Sequence, residues 1–65
     1  MVSEQPTRKV VKMLRDAGWS PARSQGSHTM WKSADGTRSI AVPDGHRTIS
    51  PGVARKIFDA IKEDR

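Results

Sequence analysis

Residues 27–42 read SHTMWKSADGTRSIAV. The first six, Ser27 to Lys32, suit the pleated surface of a strand, and Ser33-Ala34-Asp35-Gly36 supplies turn chemistry. Arg38, Ile40 and Val42 then alternate with Thr37, Ser39 and Ala41, the period of two that marks a strand with one buried face. The stretch is expected to form an antiparallel hairpin. Met30 and Trp31 are neighbours on a strand and must face opposite ways. Placing Met30 inside with Ile40 and Val42 sets Trp31 on the open face, where an exposed tryptophan would mark a partner surface.

Upstream of the hairpin, Trp19 to Arg23 reads as a shorter strand. Pro21 cannot donate to a ladder, so this strand belongs at an edge or carries a bulge. Before it, Val10, Met13, Leu14 and Ala17 recur at helical spacing, with Arg8, Lys12 and Arg15 on the opposite side. The helix is expected over 7–17, with Thr7 as its cap and Gly18 as its stop, because glycine takes the left-handed conformation without a Cβ clash. Trp19, directly after the helix, is expected in the core. Downstream, Pro43-Asp44-Gly45 breaks the strand pattern and the chain continues as a loop to Ile49. Ser50 and Pro51 form an N-cap and first-turn pair for a second helix, whose apolar face is Val53, Ala54, Ile57, Phe58, Ala60 and Ile61. The order is αβββα, an α+β fold in which two helices pack on one face of a three-stranded antiparallel sheet, since each helix needs a surface for its stripe.

Sixty-five residues, 34% of them hydrophobic and 29% charged, allow one domain over 1–65 and one core. A domain of this size buries only about 60% of the surface its unfolded chain exposes, so a partner would add to a thin stability margin. The chain has no cysteine, which removes disulfides, thiolate nucleophiles and zinc–thiolate sites and fits a reducing cytoplasm. No run approaches the roughly 18 apolar residues of a membrane span, and the N-terminus has no apolar segment of the signal-peptide kind. The net charge is +5. Ten basic and four acidic residues precede Ile57, after which two basic residues, Lys62 and Arg65, meet three acidic ones. That bias favours a polyanionic partner, nucleic acid above all, although an acidic protein is the alternative.

Two histidines carry the remaining chemistry. His28 stands in Gln25-Gly26-Ser27-His28, and an imidazole can give or take a proton. Gly26 beside it would let a phosphate approach the backbone, and Ser27 adds a hydroxyl. Its local sequence alone favours a half-buried residue at the start of a strand over a proton carrier. His46, in Pro43-Asp44-Gly45-His46, reads as an exposed loop residue unless folding brings it to His28, in which case it is a possible second proton carrier. The acids are scattered and no metal-ligand cluster or cofactor motif is visible. Arg23, Lys32, Arg38 and Arg47 flank the histidines and are candidates for holding a phosphate. The helical stripe Arg8, Lys12 and Arg15 is either a second such surface or the solvated side of an amphipathic helix.

Taken in order, these pieces resemble the HicA toxin family. They comprise a helix ending in Leu14 and Ala17-Gly18-Trp19, then Arg23, Gly26-Ser27-His28 and a hydrophobic strand, followed by Ile40, Val42-Pro43, His46, and Ser50-Pro51-Gly52 opening a helix with Ile57. The resemblance runs from about Thr7 to Ile61. Pro21 stands where the family has a strand-forming residue, and Asp44-Gly45 lengthens the approach to His46. The resemblance implies a fold like that of double-stranded-RNA-binding domains, ribonuclease activity on messenger RNA in the cytoplasm, a catalytic histidine at His28, and neutralisation by a cognate HicB-like antitoxin. On this reading the protein is a metal-independent endoribonuclease of a toxin–antitoxin system. The alternative is a non-catalytic RNA-binding module of the same fold.

Overall fold

The computed structural model describes residues 3–63. In chain order they form β1 (Gln5–Pro6), α1 (Thr7–Asp16), β2 (Ser20–Gln25), β3 (His28–Lys32), β4 (Ser39–Val42), β5 (Thr48–Ile49) and α2 (Pro51–Glu63). Strands β2, β3 and β4 make one antiparallel sheet in sequence order, and β1 pairs with β5 in a separate two-stranded ribbon. The α+β architecture expected from the sequence is therefore present, with the ribbon added to it.

The end of α1 shows why the chain turns where it does. Gly18 has a φ of +88°, its N–H donates to the Arg15 carbonyl at 3.0 Å, and the Trp19 N–H reaches back to Leu14 at 2.9 Å. These are the two bonds of a Schellman ending, which satisfies helix carbonyls that otherwise have no partner. The start of α1 differs from expectation. Pro6 takes the cap position without a side-chain cap, and Thr7 is the first helical residue. Its N–H donates to the Arg47 carbonyl at 2.9 Å and its hydroxyl donates to the His46 carbonyl. The polar groups of Thr7 thus tie the helix to a distant loop rather than to its own first turn. Helix α2 begins as expected: the Ser50 carbonyl accepts the Ala54 N–H at 2.8 Å.

Pro21 lies on the edge strand β2, beside a register shift between Pro21 and Arg23. An edge position with a bulge is where a residue lacking an N–H is tolerated. The loop expected up to Ile49 instead contains β5. Two-residue strands carry no periodic signal, and this one exists only because β1 supplies its partner, with Gln5 opposite Ile49 and Pro6 opposite Thr48.

The largest correction concerns β3. Trp31 is 2% exposed and sits in the core with Val10, Leu14, Trp19, Val42, Ile49, Ala54 and Ile57, whereas Met30 is 39% exposed on the open face. The register pairs Trp31 with Ile40 and Thr29 with Val42, so these four share the face that the helices cover. Two physical reasons select this parity. Trp31 has more apolar surface to bury than Met30, and its indole N–H finds an acceptor in the Asp44 carboxylate at 3.4 Å. The opposite parity would also turn His28 and Lys32 toward the helices. Arg15 completes the arrangement, its guanidinium carbon 5.4 Å from the Trp31 ring centroid. One end of the basic stripe on α1 thus rests on a core residue.

The turn between β3 and β4 is closed by the Asp35 carboxylate, which accepts the Thr37 N–H at 3.0 Å, the Thr37 hydroxyl at 2.7 Å and the Ser33 hydroxyl at 2.8 Å. The Thr37 backbone bond, then its hydroxyl, then Ser33 hold the Asp35 pKa down to about 2 from an ordinary value of 3.8. Folding therefore favours the ionised form. This contribution is complete above about pH 4 and disappears as pH falls through about 2. Asp35→Asn is expected to lower stability in urea titrations at pH 5 to 7 and to have much less effect at pH 2. In the same titrations at neutral pH, Trp31→Ala should cost about 3–5 kcal/mol, enough to unfold much of so small a chain. Met30→Ala should change stability by no more than about 0.5 kcal/mol. Similar losses for the two variants would contradict the burial of Trp31.

Candidate active site

Gln25 pairs directly with His28, so β2 and β3 are joined by the two residues Gly26 and Ser27. Gly26 has a φ of +61° and no non-glycine residue among those described has a positive φ. Only the first central residue is left-handed, as a type II′ turn requires, and glycine is the residue that accepts this at no steric cost. A Cβ at Gly26 would meet nothing within 4 Å, so the backbone of the turn is open to an approaching group. The turn delivers His28 to the first position of β3 with its side chain exposed. Its Nδ1 lies 3.4 Å from the Ser27 hydroxyl oxygen, and the tautomer decides which of the two donates.

Because His28, Met30 and Lys32 alternate with the buried Trp31, they stand together on the open face. A groove of about 600 Å³ runs over that face, lined by Arg23 and Gln25 of β2, His28, Met30 and Lys32 of β3, and Ala41 of β4. A second groove of about 360 Å³ also touches His28 and passes over Ala41 and Pro43 to Val53, Lys56 and Ile57 of α2. The imidazole stands where the two meet, with Arg23 and Lys32 on one side and Lys56 on the other. Lys56 was not among the residues anticipated from sequence. The available signal was its spacing of three from Val53, which places both on one flank of α2, but nothing local connects that flank to a histidine 28 positions earlier.

The remaining candidates lie elsewhere. His46 and Arg47 line a third groove of about 720 Å³ with Thr7, Arg8 and Asp44, and His28 is not part of it. Arg38 precedes β4 at the end opposite Lys32, away from His28, and its Nη2 is paired with Glu63 Oε2 at 2.8 Å. The structure therefore gathers Gly26, Ser27, Arg23 and Lys32 around His28, and places His46, Arg47 and Arg38 apart from it. Among the described residues no three His, Cys, Asp or Glu side chains come together to hold a metal ion, and no helix is long and apolar enough to cross a membrane.

A three-stranded antiparallel sheet backed by two helices, with a histidine and basic side chains on its uncovered face, defines an α+β domain of the double-stranded-RNA-binding-domain-like class. The family model described as the HicA toxin of bacterial toxin-antitoxin matches residues 7–63. The chain belongs to that family: it is the toxin of a toxin–antitoxin system, and a cognate antitoxin is its partner. No curated protein and no solved structure matches the chain.

The geometry of the turn makes its own prediction. Gly26→Ala meets no steric obstacle, so its cost is the left-handed backbone alone, about 1–2 kcal/mol. Gly26→Asn, which tolerates that conformation better, should recover part of the loss in thermal unfolding. Equal stability of all three proteins would show that the turn is not held in the left-handed form.

Proposed function

We propose that this toxin is an endoribonuclease that cleaves messenger RNA in the cytoplasm with His28 as its catalytic residue. The observation that carries this reading is the position of His28: an exposed imidazole where two grooves meet, with Arg23, Lys32 and Lys56 along them.

In the proposed reaction the RNA supplies its own nucleophile. The 2′-hydroxyl attacks the adjacent phosphorus, the O2′–P bond forms as the P–O5′ bond breaks, and the products are a 2′,3′-cyclic phosphate and a 5′-hydroxyl. The attack is intramolecular, so the protein has only to align it, move protons and stabilise the charge that gathers on the phosphoryl oxygens. His28 accepts the 2′-hydroxyl proton through its Nε2 when Nδ1 carries the proton shared with Ser27, and the resulting imidazolium returns a proton to the departing 5′-oxygen. One imidazole thus serves both transfers in turn, which agrees with the placement of His46 in a different groove. Arg23 and Lys32 hold phosphates on the open face, Lys56 holds the strand beyond His28, and the backbone of Gly26 and Ser27 lies within reach of the scissile group. The HicB-like antitoxin acts by covering the exposed histidine, through an acidic contact surface that complements the net charge of +5.

His28→Ala removes the proton carrier and none of the cations. Cleavage of single-stranded RNA by the purified chain, free of antitoxin, should fall by about 10²- to 10⁴-fold while affinity for the same RNA stays nearly constant. Cleavage should persist in chelator, and DNA of the same sequence should survive because it lacks the nucleophile. Folded wild-type protein that binds RNA and leaves it intact would replace this reading with the non-catalytic RNA-binding module.

A further inference from the structure

The two residues on either side of His28 are both held by one loop. The N–H of Gly45 donates to the Ser27 carbonyl at 2.8 Å, and the Asp44 carboxylate accepts the Thr29 hydroxyl at 2.8 Å through Oδ1. The other oxygen of Asp44 accepts the indole N–H of buried Trp31 at 3.4 Å. At its far end the loop is tied to α1, where Thr7 donates to the carbonyls of His46 and Arg47. The β3–β4 ladder ends with Thr29 opposite Val42, so beyond that pair these loop contacts take over the bracing of β3.

The fit at Gly45 is closer than any side chain allows. A Cβ there would lie 2.7 Å from both Cα and Cβ of Ser27 and 3.0 Å from its carbonyl oxygen. Gly45 is not in the left-handed region, so the requirement for glycine is one of space. The loop is seated on the backbone of the residue whose hydroxyl lies beside Nδ1 of His28.

We propose that residues 43–47 form a strap that sets the position of the His28 imidazole, with Gly45 and Asp44 as its positioning residues; the consequence for cleavage rests on the ribonuclease reading above. The chain of action is short. Gly45 fixes Ser27, the Ser27 hydroxyl lies beside Nδ1, and the place of the ring decides whether Nε2 reaches the 2′-hydroxyl. Asp44 fixes Thr29 on the other side and, through Trp31, refers the strap to the core. The groove that holds Arg23 and Lys32 contains no residue of the strap, so displacing it makes the turnover step suffer while RNA is still held.

The test compares the full chain with Gly45→Ala, Asp44→Asn and, as a reference, Gly52→Ala, whose added Cβ meets nothing within 4 Å. Each is measured for kcat and KM on single-stranded RNA and for the ring resonances of His28 by NMR, assigned with His28→Ala. Gly45→Ala should lower kcat about tenfold or more with KM changed less than about twofold, and should move the His28 ring resonances. Asp44→Asn should act in the same direction, and Gly52→Ala should match the parent in both. Asp44→Asn alone decides the question if Gly45→Ala does not fold. Parental kcat with unmoved His28 resonances in the folded variants overturns the strap, and so does a rise in KM with kcat intact, which would make the loop a binding element. If the folded parent leaves RNA intact, the ribonuclease reading fails, and if His28→Ala cleaves like the parent, His28 fails as its catalytic residue; in either case the resonances decide the strap without it.

Discussion

The direction in which Trp31 points sets both halves of this structure. On a strand the parity of one residue is the parity of all, and Trp31 turned toward the helices carries Thr29 inward with it and His28, Met30 and Lys32 outward. The large indole is buried in a cluster drawn from both helices and the sheet, where it replaces water contact with apolar contact over more area than methionine would. Its one polar atom is the obstacle to that burial, and the Asp44 carboxylate removes it. A single side chain therefore organises the core beneath the sheet and, by alternation, sets His28, Met30 and Lys32 above it.

The second consequence of Asp44 is that stability and site geometry are coupled. The carboxylate that satisfies Trp31 also holds Thr29, one residue from His28, and the next residue in the chain presses on Ser27. A chain of 65 residues has few contacts to distribute, so the same loop serves core, sheet edge and candidate site at once. The ribbon of β1 and β5 belongs to this economy. It brings the start of α1 to the loop, where Thr7, although buried, finds acceptors for both its N–H and its hydroxyl.

The basic surface is divided by the fold in a way that total charge does not describe. Arg15 lies over Trp31, Arg38 is paired with Glu63, and Arg8 and Arg47 flank His46 in a groove of their own. Three cations, Arg23, Lys32 and Lys56, share grooves with His28. The reaction proposed calls for one proton carrier and phosphate-holding charge, the two kinds of group that these grooves bring together. Its exposure also fits membership of a family whose members are held in check by a partner protein.

Much of the architecture was legible in the residues alone, because it rests on local physics. The spacing of Val10, Met13, Leu14 and Ala17, the left-handed glycine at 18, the alternation from Arg38 to Val42 and the Ser50-Pro51 start each act within a few residues, and each produced the expected element. His28 was legible as a residue at the entry to a strand, with Gly26 and Ser27 beside it, but not the two-residue turn that exposes it. Tertiary structure decided what depends on partners distant in sequence. Met30 and Trp31 are both apolar, and only the acceptor on Asp44 and the neighbours across the sheet determined which was buried. Neither β1 nor β5 has a signal of its own, since each is a strand only by virtue of the other. Lys56 shares a groove with His28, and His46, Arg47 and Arg38 lie away from it, because grooves are formed by elements that meet in space. Asp44-Gly45 looked in sequence like two residues of extra loop length; only the folded chain shows a carboxylate reaching Thr29 and Trp31 and a glycine with no room for a Cβ.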